Sequence, residues 1–441
     1  MKTKKPESKK AWRFEKRRRA GTAATAVAIA AWGGAAAFAD GVWPQFRGPG
    51  GMGAGEGNPP AQWDTASHVA WKAELPGAGS SSAVVWGDAV YLTCHTGYGA
   101  SPENPGKRED LVRHLLCFGL EDAQLRWSRE VPSTKAEAVY ESRMHWHGYA
   151  TSTPAVDEDG VYCFFGSSGV YAFTHDGEPR WTASAGEGSH EWGSASSPVL
   201  HEDLVLLNAF VESGSMVALD RRTGKEVWRY EGLREAWNTP VVVPGPGGRS
   251  EVALGVWGKI VGVDAATGSE LWSCAAADWY IVASPLARDG VIYSLSGKGF
   301  EAATAVRAGG QGDVTETRRL WQTRKGSNVS SPVLVDGHLY FAHDQGSFFY
   351  CLDASTGALV YQERLPGRFG EVYSSPVTAS GRIYLFSRRG GSAVIAAKPE
   401  YELLAANPQL DPSPVNASPA VVGDSLLIRS DRFLYRLAEK K

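Results

Sequence analysis

A short sequence recurs along most of this chain at nearly constant spacing. Ser or Thr followed by proline and an apolar residue recurs seven times at this spacing, with the prolines at Pro154, Pro198, Pro240, Pro285, Pro332, Pro376 and Pro419. Successive prolines are 44, 42, 45, 47, 44 and 43 residues apart, and a degenerate copy, Ser81-Ser82-Ala83-Val84, precedes them. Periods of this length are typical of four-stranded propeller blades. The chain is therefore predicted to hold eight blades.

One repeat indicates how a blade is built. Between Ser330 and Gln362, four short apolar runs are separated by turn residues, which include Asp336-Gly337 and Thr356-Gly357. Such dipeptides between apolar runs are typical of tight turns between antiparallel strands. We therefore predict an all-β fold, an eight-bladed β-propeller with four-stranded antiparallel blades.

The two ends of the repeat region predict how the ring closes. The last repeat stops after Phe433–Leu437 and lacks a fourth strand, whereas Val69–Leu75 has the pattern of a fourth strand with no blade before it. Pairing the two segments would leave no sheet edge open. We predict that this N-terminal strand completes the last blade and that residues 69–438 form one propeller.

The first 39 residues have the composition of a signal peptide. Residues 1–19 carry ten Lys or Arg and two Glu, and Ala20–Phe38 is uncharged and rich in Ala and Gly. Ala37-Phe38-Ala39 fits a cleavage site, so the mature protein is predicted to begin at Asp40. Export to the periplasm or the cell exterior follows, by the general secretory or the twin-arginine route. An uncleaved N-terminal membrane anchor is the alternative, and no later segment has the length and apolarity to cross a membrane.

The segment between the signal and the first blade, residues 40–68, is rich in Gly and Pro. Trp43 and Phe46 within it would not favour solvent, so we expect both rings to dock on the propeller surface. A free linker is the alternative.

The charge of the exported part argues against nucleic acid as a partner. Without residues 1–39, the 45 basic residues fall to 35 and the 48 acidic residues to 46, a net charge of about −11. Nucleic-acid-binding domains are basic. We expect a monomer whose partner is an envelope protein or a glycan.

The repeats also carry a family motif. Residues 220–228 and 264–272 read Asp-x-x-Thr-Gly-x-x-x-Trp, and residues 353–357 begin in the same way. This motif resembles the repeat of the pyrroloquinoline-quinone (PQQ)-like propellers, which include the quinoprotein alcohol dehydrogenases and the envelope assembly factor BamB. The Trp-Pro-Gln-Phe-Arg-Gly-Pro sequence at residues 43–49 also resembles secreted bacterial members of uncharacterised function.

The resemblance implies two different functions. A BamB-like member would be a non-catalytic binding or scaffold protein of the cell envelope, whereas a quinoprotein would be an oxidoreductase that uses PQQ and calcium. Quinone dehydrogenases of this family bring adjacent cysteines, and this chain has none: its cysteines are Cys94, Cys117, Cys163, Cys274 and Cys351. The sequence therefore favours the non-catalytic function, and PQQ with calcium is the cofactor alternative that it does not favour.

A ligand site is predicted at the mouth of the central channel, which the loops before each Ser-Pro surround. Four of these loops place a carboxylate one or two residues before an aromatic ring, and two others carry an asparagine. The residues are Glu191 and Trp192, Glu235 and Trp237, Asp278 and Trp279, Glu371 and Tyr373, Asn328, and Asn416. Rings with carboxylates would also suit a polysaccharide-binding or polysaccharide-acting protein. Rings that merely plug the channel are the structural alternative.

His145 and His147 are the only candidates for a metal site that the sequence offers. On a strand, residues two apart point to the same side, so these imidazoles could share a metal with Glu141 or Glu191. Packing of both histidines against Trp146 is the alternative, and the presence of a metal stays undetermined.

Overall fold

The computed structural model describes residues 41–99, 101, 103–133, 137–141, 143–297 and 302–439. The predicted signal peptide, residues 1–39, lies outside the described residues, and so does its predicted cleavage point before Asp40. Export therefore stays a prediction from the sequence. No helix in the described parts of the chain is long and apolar enough to cross a membrane.

Thirty-three strands account for most of the regular secondary structure among the described residues. The first seventeen are β1 (Val69–Glu74), β2 (Val84–Trp86), β3 (Ala89–Thr96), β4 (Val112–Gly119), β5 (Leu125–Pro132), β6 (Ala155–Asp157), β7 (Gly160–Phe164), β8 (Val170–Phe173), β9 (Pro179–Ala183), β10 (Val199–His201), β11 (Leu204–Ala209), β12 (Ser215–Asp220), β13 (Glu226–Glu231), β14 (Val241–Pro244), β15 (Ser250–Val256), β16 (Lys259–Asp264) and β17 (Glu270–Ala275). The others are β18 (Leu286–Arg288), β19 (Val291–Ser296), β20 (Ala302–Arg307), β21 (Gly312–Asp313), β22 (Arg319–Thr323), β23 (Val333–Val335), β24 (His338–Ala342), β25 (Phe348–Asp353), β26 (Leu359–Arg364), β27 (Val377–Ala379), β28 (Arg382–Phe386), β29 (Ser392–Ala396), β30 (Leu403–Asn407), β31 (Ala420–Val422), β32 (Ser425–Arg429) and β33 (Phe433–Ala438).

Helical structure among the described residues is limited to single turns. The α-helical turns are α1 (Met144–His147), α2 (Phe210–Ser213) and α3 (Thr315–Arg318), and the 3-10 turns are Pro49–Gly51, Arg108–Asp110, Gly166–Ser168 and Pro246–Gly248. All of them lie in connections between strands or in the N-terminal segment.

The strands of the described residues form eight sheets, each a blade of antiparallel neighbours. The prediction of an eight-bladed propeller is confirmed. One blade, β14 to β17, gains a fifth strand because β21 pairs with β17 in parallel. The repeat that supplies β21 is the one with the longest spacing, 47 residues from Pro285 to Pro332, so the extra residues form this added edge.

The predicted closure is also confirmed. The last sheet has the order β1-β33-β32-β31, with Lys72 opposite Tyr435 and Ala73 opposite Leu434. The first strand of the propeller therefore supplies the fourth strand of the last blade, and β33 has no open edge.

A closed ring of hydrogen bonds joins the innermost strands of the blades. In each blade, the first residue of the repeat donates its backbone N–H to the hydroxyl of its counterpart in the next blade; this residue is Ser82 in the first blade and the Ser or Thr before the repeated proline in the others. The donors and acceptors run Ser82 to Thr153, Ser197, Thr239, Ser284, Ser331, Ser375, Ser418 and back to Ser82, at 2.9–3.1 Å. These residues are buried, so each bond satisfies a backbone group that would otherwise be costly to bury. This ring explains why the repeat begins with Ser or Thr.

The outer strands join neighbouring blades through tryptophan. The ring of Trp181 lies on Gly224 of the next blade, and its Nε1–H donates to the carbonyl oxygen of Arg221 at 2.9 Å. A Cβ at Gly224 would lie 2.5 Å from this ring, and the residue has a φ of +72°. Both facts require glycine there. Trp228 and Trp321 make the same contacts with Gly268 and Gly357.

The N-terminal segment is packed on the propeller, so it is not a free linker. Trp43 is buried and pairs with Val85 of the first blade through backbone hydrogen bonds of 2.9 and 2.8 Å. The guanidinium of Arg47 is buried and donates to the carbonyl oxygen of Pro332, on the other side of the channel. Phe46 lies between these two anchors.

Candidate functional site

The innermost strands surround a cavity of about 170 Å³. The hydroxyl-bearing residues of the hydrogen-bonded ring lie along its wall, and Phe46 also contacts it. Pro44 accepts a hydrogen bond from the N–H of Val156, which lies beyond the ring along its strand. Phe46 therefore covers one end of the channel. Trp146, Trp192, Trp237, Tyr280 and Tyr373 surround the opposite end, which we call the mouth.

Half of the predicted site residues line this cavity. They are Trp192, Trp237, Tyr373, Asn328 and Asn416. The other half lies outside the lining, and comprises Glu191, Asp278 and Glu371, which are exposed, and Glu235 and Trp279, which are half-buried. The structure thus brings three of the four predicted rings and both amides together but does not bring the four predicted carboxylates together with them.

Local backbone geometry explains why the carboxylates turn away. Glu191 lies in a turn in which the N–H of Gly193 donates to the carbonyl oxygen of His190 at 2.8 Å, and Asp278 lies in a bend, so both side chains are exposed. Glu235 has a left-handed φ of +48°, which breaks the alternation of side chains along an extended chain that would have placed it beside Trp237. 

Arg388 holds Glu371 outside the cavity. The carboxylate of Glu371 forms an ion pair with Nη1 of Arg388 at 3.0 Å. The same guanidinium lies 5.2 Å from the ring centroid of Tyr373 and donates through Nε to Oδ1 of Asn416 at 3.0 Å. Asn416 in turn donates to the carbonyl oxygen of Trp146 at 2.6 Å. This network fixes one side of the mouth.

The rings on the other side pack on one another. Trp192 and Trp237 have centroids 4.8 Å apart, and Tyr280 lies edge-on to Trp192 at 4.8 Å. Trp237 is 4% exposed and its Nε1–H donates to the carbonyl oxygen of Gly193 at 3.0 Å. Trp192 is half-buried, so its ring is open to the cavity. The alternative that the rings merely plug the channel therefore suits Trp237 better than Trp192.

Sequence reasoning missed four residues of the mouth: Arg143, Trp146, Tyr280 and Asp344. Asp344 and Arg388 lie in turns between the second and third strands of their blades, β24–β25 and β28–β29. In an antiparallel blade these turns emerge at the same end as the loops that enter the innermost strand. This alternation is the sequence signal for Asp344, whereas Arg143, Trp146 and Tyr280 lie in the loops before Thr153-Pro154 and Ser284-Pro285.

Among the residues that the structure describes, Asp344 is the only carboxylate in the cavity lining. It is 2% exposed, and burial raises its pKa. Nδ2 of Asn328 lies 3.4 Å from its Oδ2, a long hydrogen bond. Oδ1 of Asn328 and the hydroxyl of Tyr280 are buried and have no hydrogen-bond partner among the described residues. The cavity thus exposes several acceptors that are poorly satisfied.

The prediction of a metal site assumed that His145 and His147 lie on a strand, and this assumption is wrong. These residues form the helical turn α1 rather than a strand, so their side chains do not share one side. Nε2 of His145 contacts the carbonyl oxygen of Tyr140 at 2.6 Å, and Nδ1 of His147 contacts Oγ1 of Thr151 at 2.9 Å. In the described parts of the chain, no three His, Cys, Asp or Glu side chains are grouped to hold a metal.

The residues of the cavity do not fit a calcium-held quinone. Calcium takes six to eight oxygen ligands, usually with several carboxylates, and the described part of the lining offers the carboxylate of Asp344 alone. All five cysteines are buried free thiols, and Cys94 and Cys117 face His114 and Tyr91 across the sheet rather than each other. The volume of about 170 Å³ is close to the roughly 150 Å³ of a cavity that holds benzene, which favours a group of that size.

Comparison with known families identifies the chain at the family level. The model described as outer membrane protein assembly factor BamB matches residues 64–238, 212–331 and 309–432. This chain belongs to the BamB family. The resemblance to PQQ-like propellers that the Asp-x-x-Thr-Gly motif predicted is confirmed.

Relatives of the BamB family align with parts of the chain. BamB of Marinobacter adhaerens (strain DSM 23420 / HP15) is 28% identical over 150 residues, which are 34% of this chain and 35% of that protein. The match therefore spans about a third of the length of that relative.

Solved structures of BamB and of quinoproteins share the fold. BamB from Moraxella catarrhalis has 15% identity and a TM-score of 0.56, over 84% of this chain and 98% of that one. A europium-containing methanol dehydrogenase has 11% identity and a TM-score of 0.61, over 90% and 98%. The quinohemoprotein alcohol dehydrogenase from Comamonas testosteroni has 10% identity and a TM-score of 0.59, over 91% and 81%. At such identities the likeness concerns the fold alone.

Proposed function

We propose that this chain is a non-catalytic binding protein of the cell envelope, whose channel mouth holds part of a protein partner. The family match to an assembly factor supports an envelope location and a protein partner. The observation that carries the proposal is the composition of the mouth, which combines five aromatic rings with one carboxylate. Aromatic rings supply large contact areas at protein interfaces.

The same composition argues against the two enzymatic alternatives. Glycoside hydrolysis uses two carboxylates about 5–10 Å apart, and Asp344 has no second carboxylate beside it in the lining. Quinone chemistry in this family needs a calcium site, for which the lining residues are too few. The acids predicted for catalysis, such as Glu191 and Asp278, are exposed outside the cavity.

Glycan binding without catalysis is the second candidate. Half-buried Trp192 and Tyr373 are rings on which a sugar could stack. However, the guanidinium of Arg143 lies 4.3 Å from the ring centroid of Trp192, and that of Arg388 covers Tyr373. Each of these two rings therefore already has a cation on one face. For this reason we favour a protein partner over a glycan.

Site-specific photo-crosslinking tests the proposal. A photoreactive phenylalanine analogue replaces Trp192 in the mouth or, as a control, Val227, which is 50% exposed on the outer strand β13. After irradiation of cells that export the protein, we expect an adduct with one envelope polypeptide from position 192 and none from position 227. Adducts of equal yield from both positions, or none from position 192, would contradict a protein-binding mouth.

A further inference from the structure

The mouth contains buried acceptors with few donors. Asp344 and Asn328 are 2% and 4% exposed, and the hydrogen bond between them is long, at 3.4 Å. A titratable neighbour of Asp344 is His343, whose Nδ1 lies 3.7 Å from Oδ1 of Asp344. Oδ1 of Asn328 and the hydroxyl oxygen of Tyr280 have no partner in the described part of the chain. Buried acceptors without donors lower stability, and a buried carboxylate does so most. A ligand that donates several hydrogen bonds and carries positive charge would satisfy this cluster.

The wall beside these acceptors already binds a cation. The guanidinium carbon of Arg143 lies 4.3 Å from the ring centroid of Trp192 and 5.2 Å from that of Trp146. Arg143 forms no ion pair with any residue that the structure describes. Its position indicates that a planar cation packs well on this wall, because the face of an indole ring attracts positive charge.

The size and charge of the surroundings agree with a cationic ligand. A cavity of about 170 Å³ has room for one side-chain head with part of its stem, and not for a folded segment. The exposed carboxylate of Glu191 directly precedes Trp192, and that of Asp278 lies two residues before Tyr280. Negative charge at the rim attracts cations toward a cleft.

We propose that the mouth binds an arginine side chain of the partner polypeptide. The cationic head donates hydrogen bonds to Asp344 and Asn328, and the stem packs on Trp192. Arg143 occupies the face of Trp192 in the free protein and moves aside when the partner binds. This inference rests on the proposed function, since it names the group of the partner that enters the mouth.

Calorimetric titration of the purified protein with two small amides tests the inference. N-acetyl-arginine amide carries the guanidinium, and N-acetyl-citrulline amide is a neutral group of nearly the same shape. We expect saturable binding of the arginine amide and at least about tenfold weaker binding of the citrulline amide, because the charge-assisted bond to Asp344 is lost. Equal binding of the two amides would overturn the inference.

Three variants distinguish effects on ligand binding at the mouth from general effects on the fold. Asp344→Asn should weaken binding of the arginine amide by about tenfold or more, whereas Asp289→Asn, an exposed acid in the turn between β18 and β19, should leave it unchanged. Arg143→Gln should tighten it by roughly two- to fivefold, because the competing cation is gone. A purely structural Arg143 would give no tightening, and an unchanged affinity in Asp344→Asn would refute the assignment.

A failure of this inference can be distinguished from a failure of the proposed function. If the crosslink from position 192 forms but the arginine amide does not bind, the partner enters by another group and only this inference is wrong. If both are absent, the mouth is not a protein-binding site. Binding of chitotriose without binding of the arginine amide would also overturn the inference, in favour of a glycan.

Discussion

The backbone N–H of Ser418 donates a hydrogen bond of 3.1 Å to Oγ of Ser82, although 336 residues separate them. This bond closes the inner ring between the last and the first blade. At the outer edge, β1 closes the same junction by pairing with β33. The propeller ring is thus closed in two places, by hydrogen bonds to hydroxyl groups beside the channel and by a strand at the perimeter.

Removal of β1 with the N-terminal segment should greatly lower the stability of the propeller. Deletion of residues 41–75 would leave the hydroxyl ring in place but would open the edge of β33 and remove the buried ring of Trp43. Loss of a buried tryptophan alone costs about 3–5 kcal/mol, so we expect a larger total decrease in the free energy of unfolding. Thermal unfolding measures it, with removal of residues 439–441 as the control. Equal melting temperatures of the two truncations would contradict this account of closure.

The contact between Trp181 and Gly224 should make this glycine sensitive to substitution. Gly224→Ala adds a Cβ that would lie 2.5 Å from the indole ring, at a φ of +72°. Gly337→Ala is a matched control, because Gly337 has a φ of +73° but no atom within 4 Å of the added Cβ. We expect the control to lose about 1 kcal/mol from backbone strain and Gly224→Ala to lose roughly 1–3 kcal/mol more. Urea unfolding compares them, and equal losses would show that the ring contact does not matter.

The two central tryptophans of the mouth should differ in role. Trp237 is 4% exposed and hydrogen-bonded, so Trp237→Ala should lower the free energy of unfolding by about 3–5 kcal/mol. Trp192 is half-buried, so Trp192→Ala should cost less stability and mainly abolish ligand binding. Melting temperatures and the amide titration measure the two effects. If Trp192→Ala destabilises the protein as much as Trp237→Ala does, the mouth is a plug.

Added PQQ and calcium should have no effect on this protein. The cavity lining offers one carboxylate and no cysteine, so we expect neither dye reduction with alcohols nor a shift in melting temperature. A ligand at a hundred times its Kd would stabilise the fold by about 2.7 kcal/mol, which thermal unfolding detects easily. A saturable shift with micromolar affinity would instead establish the oxidoreductase alternative.

A buried carboxyl beside the second and third blades should make stability depend on pH. Glu212 is 5% exposed and accepts a hydrogen bond from Ser194, and burial raises its pKa to about 7. Because the folded form holds this proton at higher pH than the unfolded form, Glu212 destabilises the fold increasingly as pH rises from about 5 to 8.

The variant Glu212→Gln tests this effect because it stays neutral throughout. Relative to the natural protein, we expect it to gain stability between pH 5 and pH 8, by up to about 3 kcal/mol. Urea unfolding at both pH values measures the change, and Glu191→Gln, at an exposed position, is the control. The same stability difference at both pH values would show that Glu212 does not titrate in this range.

The blades and their closure could be predicted from the order of residues because the signals are local and repeated. Each Ser-Pro, each Asp-Gly turn and each Asp-x-x-Thr-Gly-x-x-x-Trp acts within one blade or between sequence neighbours, so a period near 44 residues implies the ring. Even the pairing of Val69–Glu74 with β33 followed from counting strands. The reason for Ser or Thr in the repeat, a bond to the next blade, needed the folded structure.

The composition of the mouth depended on tertiary structure. It gathers side chains from loops far apart in the chain, and small backbone details decide which of them face the cavity. Glu235 turns away because of its left-handed φ, whereas Asp344 enters from a turn within a blade. Periodicity places a residue at the correct end of a blade, but side-chain direction is set by local dihedral angles and by partners such as Arg388, which holds Glu371 outside.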